Sequence, residues 1–231
     1  MTRPLLLLPG MMCDARLFFP QISVLSGKRA VMVAPMVGAE SMAELARDVL
    51  ANAPPRFALA GLSMGGILAM EIVRQAPERV EKLALLDTNP RAELSEVKAR
   101  RTPQMEAVKA GRLREVMRDE MKPNYLVDSP QKPQTLDLCM DMALDLGPQV
   151  FLNQSIALRD RPDQQETLAA YKGKALVLCG RHDALCPVER HELMHDLLEN
   201  STLDIIENAG HLPTLEQPEH TTAALIRWLE D

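Results

Sequence analysis

The chain has 231 residues, 26 Lys and Arg against 32 Asp and Glu for a formal charge of −6, and 46% hydrophobic residues. A chain of this length buries roughly 70% of the surface it exposes when unfolded, which excludes disorder as the main state and any need for a staple or obligate partner. A net negative charge with no long Lys/Arg cluster excludes an electrostatic footprint for nucleic acid.

Met1-Thr2-Arg3 followed by Leu5 to Leu8 begins like a secretion leader. Pro9-Gly10 ends the apolar run far short of a leader's core, and no Ala-x-Ala-like cleavage site follows. Met12 stands before Cys13 where a lipoprotein anchor calls for a small residue. The run reads instead as a strand, followed by Val31 to Ala34, Phe57 to Ala60, Leu83 to Leu86, Leu176 to Leu178 and a last one at Leu203 to Ile206. Short continuous apolar runs suit strands covered on both faces of a parallel sheet. Between them lie helical patterns, the clearest with Met42, Leu45, Ala46, Val49 and Leu50 on one face and a capping box from Ser41 and Glu44. Strand and helix alternate over residues 4–88 and 174–231, which predicts an α/β protein with a doubly wound, mostly parallel sheet. Ligands of such sheets bind at the carboxyl ends of the strands.

Residues 91–168 read differently. They are charged and strand-free, with helical stretches punctuated by Pro103, Pro123, Pro130, Pro133, Gly147 and Pro148. Ser129-Pro130 is expected to open a helix presenting Leu136, Met140, Ala143 and Leu144 on one face. The segment is a helical insertion between two core strands, and periodicity alone does not say whether it covers a site. Met105, Met117, Met121, Met140 and Met142 read as flexible gap-fillers in its core. No stretch of about 18 apolar residues occurs, so no membrane-spanning helix is expected. Cys13, Cys139, Cys179 and Cys186 form no C-x-x-C pair and read as free, buried thiols in a reducing cytosol, hence a cytoplasmic protein.

The chemistry starts at Gly61-Leu62-Ser63-Met64-Gly65-Gly66, which joins the Phe57 to Ala60 strand directly to a helix with Ile67, Leu68, Ile72 and Val73. This is the strand-turn-helix setting of a G-x-S-x-G elbow, so tight that side chains two residues either side of the serine would collide. A plain glycine-rich turn or a degenerate phosphate loop is the competing reading. A serine hydroxyl needs a base, and His211 lies in the loop after the last strand, on the same sheet edge as Ser63. Leu176 to Asp183 supplies an acid at another strand end, giving the chain order Ser63, Asp183, His211.

Taken together, these segments resemble the α/β-hydrolase superfamily: the elbow at 61–65, Gly180-Arg181-His182-Asp183, and Ala209-Gly210-His211. Arg161-Pro162-Asp163 and Thr214-Leu215-Glu216-Gln217-Pro218-Glu219 resemble the small bacterial carboxylesterases and enol-lactonases. The resemblance implies an α/β-hydrolase core over 1–90 and 169–231, with 91–168 as a helical lid. It implies an oxyanion hole from the backbone N–H groups of Met64 and Met11, with Met12 as the alternative to Met11. The chain departs from its relatives in carrying Pro9-Gly10 where they have His-Gly, and in lacking their first two strands. Asp87, at the end of another strand, competes with Asp183 as the acid, because some family members draw it from there.

His191-Glu192-Leu193-Met194-His195 matches the zincin pattern H-E-x-x-H. The metzincin extension fails at Leu198 and Ser201, and Leu193, Met194, Leu197 and Leu198 give that helix an inward face of its own. The two histidines are therefore read as a partly solvated helix flank, with no metal and no cofactor expected. The resulting expectation is a serine hydrolase acting through an acyl-enzyme on a small-molecule carboxylic ester with a small to medium acyl group. Lactone, thioester or C–C hydrolysis on the same residues, or a non-catalytic binding scaffold, are the alternatives. With 3% aromatic residues, the pocket is expected to be aliphatic and Met-lined.

Overall fold

A computed structural model describes residues 3–230; Met1 and Thr2, where the leader-like start begins, and Asp231 lie outside the described residues. Six strands, β1 (Leu5–Leu8), β2 (Val31–Val33), β3 (Phe57–Leu62), β4 (Val80–Leu86), β5 (Lys174–Gly180) and β6 (Ser201–Ile206), form one sheet in the order β2-β1-β3-β4-β5-β6. Every neighbouring pair is parallel. This is the doubly wound parallel sheet that the alternating pattern predicts. The helices are α1 (Phe19–Leu25), α2 (Met42–Asn52), α3 (Met64–Gln75), α4 (Ser95–Lys109), α5 (Leu113–Val116), α6 (Lys132–Arg159), α7 (Gln165–Ala170), α8 (Val188–Leu197), α9 (Pro213–Glu216) and α10 (Pro218–Glu230).

The unbroken Leu5 to Leu8 run follows from two buried faces. Leu6 and Leu8 pack with Met42, Leu45, Leu68 and Ile72 from α2 and α3 on one side, while Leu5 and Leu7 pack with Leu17, Phe18, Leu225 and Trp228 on the other. All four leucines are fully buried, each contributing roughly 2 kcal/mol of transfer free energy. With strand side chains alternating between faces, neither side of β1 can be polar. β4 and β5 extend beyond their apolar centres to take in Glu81, Lys82 and Lys174, which is why the apolar runs understate their lengths.

No strand is described between β4 and β5, where α4 to α7 lie. The Gln164 N–H donates to the Pro90 carbonyl at 2.8 Å, closing the two ends of this excursion onto each other. The long helix begins at Lys132, with Pro133 in its first turn, and not at Ser129-Pro130 as expected. It is really two helices joined at Gly147, whose φ of 82° and ψ of 175° leave the helical region. Gly147 precedes Pro148, which disfavours helical backbone at the residue before it, and only glycine takes that φ cheaply. Met105, Met117, Met140 and Met142 are buried there, as gap-filling predicts.

The cap expected at Ser41 is present: its Oγ accepts the Glu44 N–H at 3.2 Å and donates to the Glu44 carboxylate at 2.9 Å. Ser41→Ala should therefore lower unfolding stability by about 1 kcal/mol in a urea titration. An unchanged midpoint would mean that tertiary packing alone sets the start of α2.

Candidate active site

β3 ends at Leu62 and α3 begins at Met64, so Ser63 alone makes the turn, at φ 56° and ψ −116°. Such backbone is costly for a residue with a side chain, and it survives only where neighbours over-determine it. The Ser63 N–H donates to the Leu86 carbonyl at 2.9 Å and its carbonyl accepts the Thr88 hydroxyl at 2.7 Å, so the end of β4 clamps the turn on both sides. A Cβ on Gly61 would overlap the Gly65 carbonyl, and one on Gly65 would overlap the Leu8 carbonyl. The glycines are required by close backbone approach. Among the described residues, the other non-glycine positions with positive φ are Met12 and Asp87, which follow β1 and β4 at the same sheet edge.

Ser63 Oγ lies 2.9 Å from His211 Nε2, and His211 Nδ1 lies 2.8 Å from Asp183 Oδ2. A carboxylate can only accept, so Nδ1 carries the proton and Nε2 is left to accept from the serine hydroxyl. The other Asp183 oxygen accepts the N–H groups of Leu185 and Cys186 at 2.8 and 3.0 Å. Burial alone would raise the Asp183 pKa, but the facing His211 and these hydrogen bonds hold it below the ordinary carboxylate value. Asp87, the competing acid, is placed elsewhere: its Oδ1 accepts the Gly180 N–H at 2.9 Å and its Oδ2 has no partner. Burial, then the neighbouring Asp183 charge, pushes its pKa well up. Of two carboxyl groups side by side, the one facing the imidazole stays ionised.

The Met12 N–H is taken by Gln154 Oε1 at 2.8 Å, while among the described residues the Met11 N–H has no protein partner. Of the two alternatives, Met11 keeps its donor free. Met64 is the first residue of α3, where backbone N–H groups have no intrahelical acceptor. Gln154 also donates to the Met36 carbonyl at 2.9 Å, so this buried side chain of α6 ties the loop after β1 to the segment after β2. Sequence reasoning missed it, although a glutamine between the inward-facing Phe151 and Leu158 is a detectable break in an apolar stripe. Glu216 plays the matching part beneath His211. Its carboxylate accepts the N–H groups of Gly210 at 2.9 Å, Leu212 at 3.1 Å and Val127 at 2.8 Å, and the His211 N–H donates to the Tyr125 carbonyl at 2.7 Å.

The zincin-like histidines do not converge. His191 is fully buried, not the partly solvated flank that was expected. Its Nε2 accepts the Thr88 N–H at 3.0 Å and its Nδ1 faces the Pro187 carbonyl, while burial pushes its pKa down to about 4. His195 Nδ1 instead pairs with Ser201 Oγ at 2.7 Å. Among the described residues, Asp183, Cys186 and His211 cluster closely enough to suit a metal ion. Both Asp183 oxygens already accept N–H donors, and burial raises the Cys186 thiol far above the value a thiolate ligand needs. These contacts leave that donor set poorly suited to a metal.

Ser63 and His211 open onto a cavity of about 550 Å³. Leu62, Ile67, Val97, Met121 and Leu158 make its apolar part, but Arg100, Arg101, Arg161 and Arg190 also line it, with Glu93, Glu96 and Glu120. Charged side chains thus join the aliphatic and Met lining expected from composition, which averages over the chain and cannot show that charges gather at one place.

Comparison with known proteins bears on the chain as a whole. The model of the family described as "Alpha/beta hydrolase family" matches residues 5–225. A "Pimeloyl-[acyl-carrier protein] methyl ester esterase" of Pectobacterium carotovorum subsp. carotovorum (strain PC1) is 26% identical over 198 residues, covering 84% of this chain and 78% of that one. A thermophilic esterase from Thermogutta terrifontis, solved with malate bound, superposes with a TM-score of 0.91 at 29% identity, covering 100% of this chain and 90% of that one. The enol-lactonase from Burkholderia xenovorans LB400 shares the fold, with a TM-score of 0.89 at 19% identity over 100% of this chain and 92% of its own. With the family model spanning nearly the whole chain and the same fold recurring end to end, this protein belongs to the α/β-hydrolase family.

Proposed function

We propose that the protein is a serine hydrolase of carboxylic esters, with Ser63 as nucleophile, His211 as base and Asp183 as the orienting acid. The observation that carries this reading is the pair of hydrogen bonds, 2.9 and 2.8 Å, running from Ser63 through His211 to Asp183 at the wall of a cavity. The esterase names of its relatives support the same bond type. In this reading the segment 91–168 is the lid over a core of 1–90 and 169–231, and the substrate is a small molecule. Among the described residues no helix is long and apolar enough to cross a membrane, and four free, buried cysteines fit a reducing cytosol.

Ser63 Oγ attacks the ester carbonyl carbon as its proton passes to His211 Nε2. Asp183 fixes the imidazole tautomer and stabilises the imidazolium. The N–H groups of Met64 and Met11 receive the oxyanion, each worth roughly 3 kcal/mol in the transition state. The tetrahedral species collapses, His211 returns the proton to the departing alkoxide, and the alcohol leaves an acyl-Ser63. Water then gives its proton to His211 and its oxygen to the acyl carbon; the second tetrahedral species releases the acid and Ser63 regains its proton.

Ser63→Ala and His211→Ala should each abolish turnover of p-nitrophenyl esters of graded acyl length, and Asp183→Asn should lower kcat by roughly three to four orders of magnitude. Turnover that persists in Ser63→Ala would contradict the reading.

Gln154 and Glu216 act through others, as positioning residues for the Met11 loop and the His211 loop. Gln154→Leu should lower kcat while leaving fluorophosphonate labelling at Ser63 measurable, since it loosens one oxyanion donor and not the nucleophile. Glu216→Gln loses the acceptor oxygen for at least one of these N–H groups and should cost about 1 to 3 kcal/mol in denaturant unfolding as well as activity. Equal kcat in wild type and Gln154→Leu would show that the Met11 loop holds its shape unaided.

A further inference from the structure

The cavity wall carries a guanidinium pair that the proposed chemistry does not use. Glu93, in the segment after β4, is buried between Arg101 of α4 and Arg161 beyond α6. Arg161 Nη1 donates to Glu93 Oε1 at 2.6 Å, and Arg101 Nε donates to Glu93 Oε2 at 2.6 Å. One carboxylate thus serves two guanidinium groups, leaving this buried cluster with a net positive charge. Its donors are not exhausted. Arg161 Nε is used by the Arg91 carbonyl at 3.0 Å, but Nη2 has no protein partner among the described residues. Among the described residues Arg101 Nη1 faces only the Met11 sulfur, at 3.9 Å, a weak acceptor on a residue that lines the cavity together with Ser63. Arg100 and Arg190 line the same cavity and, among the described residues, form no ion pair, so across its wall four arginines face three glutamates in a chain whose overall charge is −6.

Positive charge held in a partly desolvated cavity, with guanidinium donors left over, is a binding arrangement for an anion, and the planar fork of arginine matches a carboxylate edge to edge. Glu93 shows the fit, since the pair already accommodates one carboxylate. Resting on the ester-hydrolase reading above, we infer that the substrate is an ester bearing a second, free carboxylate, a dicarboxylic acid monoester in its simplest form, with Arg101 and Arg161 binding that carboxylate while Ser63 attacks the ester. The residues act in binding, so their effect falls on KM.

The probes are the monomethyl esters of dicarboxylic acids from succinate to adipate, each paired with the neutral ester in which the free carboxylate is a primary amide. Wild type should prefer at least one anionic ester over its amide partner by about tenfold or more in kcat/KM, the scale of one charge-assisted hydrogen bond, and mainly through KM. Arg101→Gln should collapse that ratio, and Glu93→Gln, which leaves the guanidinium pair uncompensated, should raise it. The ratio cancels any loss that acts on both esters, so a merely structural role for Arg101 would lower both rates and leave the ratio unchanged, overturning the inference. Equal turnover of anionic and neutral esters across the series would also overturn it, while leaving the hydrolase reading intact. Preference for a phosphonate in place of the carboxylate would overturn the assignment to a carboxylate. If no ester is turned over, the hydrolase reading fails, and calorimetry decides the anion site separately. Ser63→Ala protein should bind a dicarboxylic monoester and lose that binding when Arg101→Gln is added; binding that survives would sink it.

Discussion

Everything at this site depends on how closely the backbone turns at Ser63. The elbow brings the start of α3 against β1 and β3 so tightly that a Cβ at Gly61 or Gly65 would overlap a carbonyl. That approach forces Ser63 to a positive φ at the edge of the sheet, with the first turn of α3 following it directly. The unfavourable backbone is held by β4 through the Leu86 carbonyl and the Thr88 hydroxyl, so the strand order is part of the chemistry. With β4 between β3 and β5, Asp183 emerges from β5 and His211 from the loop after β6 at distances that a hydrogen bond can span.

The loops that carry His211 and Met11 have little regular structure of their own and are stiffened by buried polar side chains from other parts of the chain. Glu216 collects three backbone N–H groups around the His211 loop, and Gln154 reaches from α6 to the loop after β1. Buried polar groups are costly unless satisfied, and satisfied ones fix a single arrangement. The strand-free segment is therefore not an independent cover: Tyr125 and Gln154 bind backbone of the loops that carry His211 and Met12, and the Val127 N–H binds the Glu216 carboxylate, so movement of that segment and the geometry around Ser63 are linked. The same segment brings Arg101 to the cavity wall beside Arg161, with Glu93 between them.

The strands were legible as apolar runs because a parallel sheet covered on both faces leaves no room for polar alternation, and Leu5 to Leu8 is the plainest case. Ser63 was legible because the glycine spacing is imposed by hard contact, and the order Ser63, Asp183, His211 because strand ends at one edge supply all three. What pattern reading could not provide depends on long-range contact. His191 looked like a solvated flank by helical spacing, yet it is buried because its ring accepts the Thr88 N–H, a partner 103 residues away. The partner of the Met12 N–H is a glutamine 142 residues away. The guanidinium pair escaped for the same reason, since Glu93, Arg101 and Arg161 lie apart in sequence and carry no spacing signal.

The most direct measurement is stoichiometric labelling with a fluorophosphonate, followed by peptide mass mapping. The account predicts one adduct per chain, on Ser63, absent from Ser63→Ala and strongly slowed in His211→Ala, because only a serine with an adjacent base attacks the phosphorus at a useful rate. An unlabelled wild type, or an adduct on another residue, would contradict the central claim that the elbow serine is the activated nucleophile.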